Sequence, residues 1–375
     1  MLLLVGFIRI FREINLSYMH RALQVSQQAV GTCNPNPPVG AVIVKDGCVV
    51  GEGFTFPPGG MHAEKNALRL AGKNSEGASL YVTLEPCSHY GRTPPCTGEI
   101  ISSGIKEVHV GLKDPDPRVN GHGIEELRKN GISVYVGEMA RECRISMEAH
   151  FKLMETGMPF VTAKFAATLD GKIATSSGES QWITGDDARA SAHEIRFRND
   201  AVMVGIGTVV ADNPRLTVRG KDFGVNIRQP TRIIVDSKGR IPSSSSLLSQ
   251  KGNTIIVTGD TDVERDFPSS VSIKKFPGNG NKVDLYQALK YLGSIPISSI
   301  LVEGGAELLG SLFDSKLVDK VEAFLSPSII GGIDSRNAVL GEGASVMSEI
   351  VRLSNVEVSQ IGNDVRVSGY CINLS

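Results

Sequence analysis

The chain has 375 residues, 41% of them apolar and 21% charged, with a formal net charge of −1. That length asks for two or three domains, each able to bury a core without disulfide or metal staples. Acids and bases are interspersed with no basic face, which argues against a nucleic-acid-acting enzyme; neither a nucleic acid nor a membrane is expected as partner.

Six cysteines, at positions 33, 48, 87, 96, 143 and 371, show no framework spacing and suit a reducing, cytoplasmic setting. Met1 to Ile14 is apolar but interrupted by Arg9 and Arg12, and it is too short to span a bilayer. It lacks the basic start and small-residue cleavage site of a signal peptide. Residues 1–16 therefore read as an extension, a short helix or an upstream start ahead of the first domain.

From Ser17 to Val30 the apolar residues fall at helical spacing. Asn34-Pro35-Asn36-Pro37-Pro38 makes a stiff turn into a buried strand, Val39 to Val44, and Asp46-Gly47 turns it back in a hairpin. A helix is expected from His62 to about Ala71, a strand at Leu80 to Thr83, and a turn or helix opened by Pro86-Cys87. Strands at Val108 to Leu112 and Ser133 to Val136 flank a helix near His122 to Asn130, and a closing helix runs from Glu138 to Glu155. This alternation implies an α/β layer structure around one sheet. Thr156-Gly157-Met158-Pro159 punctuates it, so the domains are drawn at 17–156 and 157–375. The second opens on a strand at Phe160 to Ala166. It continues with a helix at Asp186 to Phe197, capped near Thr184 or Asp186, and with strands at 201–204, 232–235, 254–257, 300–302 and 321–325. The Gly-, Ser- and Pro-rich stretch 237–282 reads as long surface loops.

His62-Ala63-Glu64 and the run from Pro86 to Cys96 carry the sharpest chemistry. One imidazole and two thiols supply three zinc ligands, the number of a catalytic site that keeps its fourth position for water. Glu64 is close to that water but poorly placed to bind metal, the arrangement of zinc nucleobase deaminases, where the Glu shuttles protons. Eight residues separate Cys87 from Cys96 instead of the usual two, which suggests a substrate-recognising loop. His89 is a rival fourth ligand.

In the second half, Val204-Gly205-Ile206-Gly207-Thr208 and Val302-Glu303-Gly304-Gly305 are strand, glycine, helix patterns that suit a pyrophosphate or merely a tight turn. Neither is a dinucleotide fingerprint of the Rossmann type. Lys164 interrupts an apolar strand. The only Trp, Trp182, could wall a flat ring or pack in a core. Arg196, Arg215 and Arg219 could pair a phosphate.

Together these segments resemble the bifunctional riboflavin-biosynthesis deaminase/reductase family, from about Tyr18 to the C-terminus. The resemblance rests on Asn34 to Gly40, His62 to Glu64, Pro86 to Cys96, Thr168 to Ala174, Glu179 to Gly185, Gly207 to Pro214 and Val302 to Gly305. It implies a cytidine-deaminase-like three-layer α/β/α domain followed by a dihydrofolate-reductase-like α/β domain. It implies Zn²⁺ on His62, Cys87 and Cys96, with Glu64 as proton shuttle and Asn36 and Arg92 holding substrate. In the reductase it implies NADPH, with Lys164 catalytic and Ser180, Arg196, Leu216, Arg219 and Glu303 facing substrate. Ala166, Trp182, Thr208, Asp212, Ser237 and Gly305 would face the cofactor. The implied reaction deaminates a phosphorylated diaminopyrimidinone riboside, then reduces its ribosyl chain to ribityl. Thr55 replaces a His that the family usually places beside substrate, Asn213 a common Asp, and Gly239 a common Leu. Two other readings are a deaminase with a nucleotide-binding regulatory module, and a nucleic-acid deaminase. An edge strand in the second domain could pair subunits into a homo-oligomer.

Overall fold

The computed structural model describes residues 17–90, 94–220, 227–263 and 265–372. Residues 1–16, the proposed extension, and Arg92 lie outside that set. The chain divides into two compact units, one up to Glu148 and one from Ala149.

In the first unit, α1 (Tyr18–Ser26) starts where the Ser17 hydroxyl accepts the His20 N–H at 3.2 Å. Strands β1 (Gly40–Lys45) and β2 (Cys48–Phe54) form the expected hairpin, with Asp46 and Gly47 both at positive φ, 50° and 77°. Helix α2 (Ala63–Ala71), β3 (Ser79–Leu84), α3 (Cys96–Ser102), β4 (Glu107–Leu112), α4 (His122–Lys129), β5 (Ser133–Val136) and α5 (Ala140–Ser146) follow. The five strands lie in the order β2-β1-β3-β4-β5, antiparallel at the hairpin side and parallel from β3 to β5. A Cβ on Gly40 would meet the Ala22 carbonyl of α1, and one on Gly53 the Ala63 carbonyl of α2 at 2.2 Å. Helices α1 and α2 therefore cover opposite faces of the sheet, which makes three layers.

The single helix expected from Glu138 to Glu155 is two, α5 and α6 (Glu148–Thr156). Met147, at φ −125°, breaks it and buries its side chain. Local propensity continues across this point, and tertiary burial of Met147 overrides it. The α6 helix belongs to the second unit, where its Lys152 pairs with Asp319, which also accepts the Val161 N–H.

The second unit contains β6 (Phe160–Thr168), β7 (Lys172–Ala174), α7 (Asp186–Arg198), β8 (Ala201–Gly205), α8 (Ile206–Asp212), β9 (Thr231–Val235), β10 (Thr254–Thr258) and β11 (Val271–Lys275). It continues with α9 (Leu285–Ser294), β12 (Ser299–Val302), α10 (Ala306–Asp314), β13 (Lys320–Ser326), β14 (Arg336–Asn337), β15 (Arg352–Ile361) and β16 (Asp364–Ile372). Its main sheet runs β11-β10-β9-β8-β12-β6-β13-β16-β15, parallel except for the last two pairings. Alternate residues feed two cores. Val161, Met203, Ile233 and Val302 pack with Leu289, Leu292 and Leu309, while Val202, Val204, Ile234 and Leu301 pack with Ile195 and Val209. Burial on both faces is why these strands read as unbroken apolar runs. Gly185 is the N-cap residue of α7 and makes no side-chain cap, a correction to the expected Thr184 or Asp186; its N–H is taken by the Asp364 carboxylate at 2.7 Å. The stretch 237–282 contains, besides the expected strand β10, the edge strand β11.

Helix α2 lies on β2 so closely that Gly53 has no room for a side chain, whereas Gly98 on the exposed side of α3 meets nothing within 4 Å. Gly53→Ala should lower stability to urea by roughly 2–3 kcal/mol through overpacking. Gly98→Ala should raise it by roughly 0.5–1 kcal/mol by restricting the unfolded chain. Equal midpoints for the two variants would contradict this packing.

Candidate functional sites

The first site gathers at the ends of two helices. His62 is the N-cap residue of α2, Cys96 is the first residue of α3, and Cys87 lies in the irregular run after β3. The expected helix at Pro86-Cys87 begins nine residues later, at Cys96. Its end still serves Cys87, because the Cys96 N–H donates to Cys87 Sγ at 3.4 Å. Further bonds from Cys96 N, Thr97 N and Thr97 Oγ1 to the Cys87 carbonyl fix the loop on the helix.

His62 Nδ1 lies 3.6 Å from Cys87 Sγ and 3.4 Å from Cys96 Sγ, and the three ligand atoms are all within 4.8 Å of one another. Tetrahedral zinc with ordinary bond lengths spaces a nitrogen and a sulfur ligand by about 3.6 Å, so the cluster matches the ion's dimensions. The donor chemistry matches too. A hydrogen bond from Cys96, against the opposing cost of burial, lowers the Cys87 thiol to about 4 with help from His62. The Cys87 hydrogen bond and burial push the Cys96 thiol up. Among the described residues no other group of three or more His, Cys, Asp or Glu side chains gathers in this way, and His89 is not part of it.

Glu64 sits in the first turn of α2 and is 4% exposed. Burial holds its carboxyl above the usual carboxylate range, against the pull of His62. Lys65, equally buried, pairs with Glu99 at 2.6 Å and ties α2 to α3. Asn36 is half-buried in the turn before β1, held by Cys33, whose Sγ donates to the Asn36 carbonyl at 3.1 Å. Thr55 is buried and its hydroxyl accepts the Val39 N–H at 3.2 Å, closing the end of the hairpin. One residue near the site escaped the sequence reading. Glu85, buried before Pro86, accepts the N–H groups of Asp114, Gly121, Gly123 and Ile124 and so pins the loop that approaches Pro86.

The second site is an open cleft of about 2290 Å³ at the carboxyl ends of β6, β8, β9 and β12, the place where ligands bind in open α/β sheets. That volume admits a dinucleotide and a sugar phosphate together. Lys164, Ala166, Ser180, Trp182, Arg196, Thr208, Asp212, Leu216, Arg219, Ser237, Glu303 and Gly305, the twelve positions singled out from sequence in this half, all line it. Gly205 and Gly304 join across adjacent strands by a 2.9 Å hydrogen bond. Gly305, before α10, would put a Cβ 3.1 Å from Thr208 Oγ1, and α10 has no side-chain cap. A close glycine cradle facing an uncapped helix start fits a pyrophosphate. Ser180 Oγ donates to Asp212 at 3.3 Å.

Trp182 is 71% exposed, which removes the core-packing reading, and the Arg189 guanidinium lies 4.5 Å from its ring centroid. Arg196 is buried and bidentate to Glu303, at 2.8 and 2.7 Å, and donates to the Thr217 carbonyl at 2.5 Å. Three of its five N–H donors are therefore committed within the protein. Burial opposes ionisation of Glu303, but Arg196 and Lys164 overcome it and hold the carboxyl at about 2. Burial lowers the pKa of Lys164, with Glu303 pulling the other way.

A family model described as the RibD C-terminal domain matches residues 159–367, and one described as the cytidine and deoxycytidylate deaminase zinc-binding region matches residues 12–112. The riboflavin biosynthesis protein RibD of Actinobacillus pleuropneumoniae is 41% identical over 94% of this chain and 94% of its own length. That of Escherichia coli K12 is 39% identical over 93% and 97%. Among solved structures, Acinetobacter baumannii RibD superposes with a TM-score of 0.87 at 33% identity, covering 95% of this chain and 98% of that one. A diaminohydroxyphosphoribosylaminopyrimidine deaminase/5-amino-6-(5-phosphoribosylamino)uracil reductase of Thermotoga maritima gives 0.82 at 38% identity, with coverage of 95% and 98%.

The depressed pKa of Glu303 contributes stability that is present above the ordinary carboxylate range and lost as pH falls toward about 2. Acid unfolding of the wild type should carry this component, and Glu303→Gln should lack it. Arg196→Met, which strands a buried carboxylate, should cost roughly 3–5 kcal/mol in denaturant unfolding at neutral pH. A loss below about 1 kcal/mol, the value of an exposed ion pair, would show that the pair is solvated.

Proposed function

Because the chain belongs to the RibD family of riboflavin-biosynthesis proteins, with both its deaminase and its reductase activity, we propose a residue-level account of each reaction. The deaminase substrate is 2,5-diamino-6-ribosylamino-4(3H)-pyrimidinone 5′-phosphate, and reduction of its product gives 5-amino-6-(5-phosphoribitylamino)uracil. The observation that carries the first half is the metal-sized triangle of His62, Cys87 and Cys96 with a buried Glu64 beside it.

His62, through Nδ1, and the two thiolates would hold zinc, whose Lewis acidity makes hydroxide available near neutral pH. Glu64 takes up the water proton on its carboxylate and passes it to the ring nitrogen; it then takes the second proton from the new hydroxyl and gives it to the departing amine, so that ammonia leaves as the carbonyl forms. Burial supports this role, because a carboxyl held above its usual range binds a proton more readily than an exposed one. Asn36 orients the pyrimidine, and Arg92 contributes from the loop between the cysteines.

In the cleft, the hydride for C1′ of the opened ribose would come from NADPH when bound. Gly305 and Thr208 would seat its pyrophosphate, Trp182 would back a ring, and Ala166, Asp212 and Ser237 would complete the cofactor side. Lys164 orients the substrate oxygen and gives it a proton, which its lowered pKa makes easier. The Arg196–Glu303 pair stiffens the wall beside it, with Ser180 and Leu216 against the sugar. Arg219, which makes no ion pair among the described residues, takes the phosphate. The thiolate ligands call for a reducing compartment, which supports a cytoplasmic location. No helix among the described residues is long and apolar enough to cross a membrane.

Strand β15, ten residues long, ends the sheet with one edge unpaired, and its Val356 and Val358 are 50% and 67% exposed. A second copy of this chain covering that edge is the partner we favour, since long apolar edges are seldom left open.

Glu64→Gln should retain zinc by elemental analysis and lose deamination by about 10³-fold, with NADPH oxidation intact. Lys164→Met should do the reverse. Full deamination by Glu64→Gln would end the shuttle assignment. A flat absorbance trace at the reduced-nicotinamide band, with folded wild type, NADPH and the deaminated substrate, would reduce the second half to a regulatory module. A Val356→Lys/Val358→Lys variant should sediment as a smaller species than the wild type, and unchanged mass would remove the edge-pairing model.

A further inference from the structure

Helix α7 presents Arg189, His193 and Arg196 at positions i, i+4 and i+7, one stripe along the cleft. Arg189 lies on Trp182 and Arg196 on Glu303. His193, between them, faces the loop that carries Arg219, and the Arg219 main-chain N–H donates to its Nδ1 at 3.3 Å. The Arg219 guanidinium is held separately, by Nη1 donating to Thr217 Oγ1 at 3.1 Å. Thr217 also gives its carbonyl to Arg196, so α7 touches this loop at two points, His193 and Arg196, one helical turn apart.

We propose that His193 is a positioning residue of the reductase: its Nδ1 lone pair anchors the Arg219 main chain and sets where the Arg219 side chain meets the substrate phosphate. This rests on the assignment of Arg219 to the phosphate. An imidazole that accepts at Nδ1 carries its proton on Nε2 and stays neutral. The surroundings enforce that state. Burial, Arg196, Arg219 and Lys164 together lower His193 to about 4, with Glu303 alone opposing. A protonated ring would donate from both nitrogens and repel the arginine it is meant to hold. A histidine kept neutral among three cations can thus serve as a fixed acceptor throughout the physiological range.

The test is steady-state reduction by the full-length protein, with NADPH and either the deaminated substrate or its dephosphorylated counterpart. His193→Ala should raise KM for the phosphorylated substrate about ten-fold, the cost of one hydrogen bond, with kcat and the KM for NADPH changed less than about two-fold. His193→Asn, whose Oδ1 can accept where Nδ1 does, should restore KM; His193→Gln, whose polar atoms extend toward the Nε2 position, should not. With the dephosphorylated substrate His193→Ala and wild type should have equal kcat/KM. An unchanged KM in His193→Ala, rescue by Gln but not Asn, or an equal loss on the dephosphorylated substrate would each overturn the proposal. Arg219→Ala separates the two layers. If it raises KM while His193→Ala does not, the positioning role alone fails; if it leaves KM unchanged, the phosphate assignment fails first.

Discussion

Taking a charge out of water costs several kcal/mol unless a partner or a change of protonation absorbs it. Each site in this chain is organised by that constraint. At the first site, Glu64 is buried, and that burial holds its carboxyl above the usual carboxylate range against the pull of His62. In the cleft, the largely buried Glu303 is bound by Arg196 through both carboxylate oxygens, so it stays ionised. The same side-chain chemistry is thus pushed up in one place and down in the other, decided by whether a guanidinium lies within reach.

The two sites also use the ends of secondary structure differently. Two helix starts bring His62 and Cys96 together, and the free N–H of one of them steadies Cys87. The cleft is built on strand ends, with Lys164 on β6, Glu303 just past the end of the neighbouring parallel β12, and glycine turns leading away into helices. Strand ends fix side chains to the sheet's spacing, which suits a reaction where two ligands must meet in one orientation.

Much of this was legible in the sequence because it is local. The Asp46-Gly47 turn, the His-x-Glu at a helix start and the glycines after Val302 each declare themselves within a few residues. What was not legible depends on distant partners. Nothing near His193 foretells that the Arg219 main chain will lie against it, and nothing near Arg196 shows that Glu303 will occupy it. Nothing near Glu85 shows that its four main-chain partners will come from the loop after β4 and the start of α4, 29 to 39 residues on. The break at Met147 was missed because burial decided it over local preference, and the edge strand β11 because pairing with β10 makes it a strand. Charge balance and cysteine spacing constrained the class of protein but placed no side chain.

The stripe on α7 has a consequence for how the reductase half can change. Arg189, His193 and Arg196 sit on successive turns of a single rigid rod, each bearing on a different partner: the Trp182 ring, the Arg219 main chain and the Glu303 carboxylate. Rotating or sliding that rod to suit one of them displaces the other two. Substitutions that retune cofactor preference and those that retune substrate preference therefore interfere with one another through the backbone, and their effects depart from additivity even where the side chains never touch. Divergence among such enzymes is then channelled into the loops that meet the helix, with the helix itself left as a common axle.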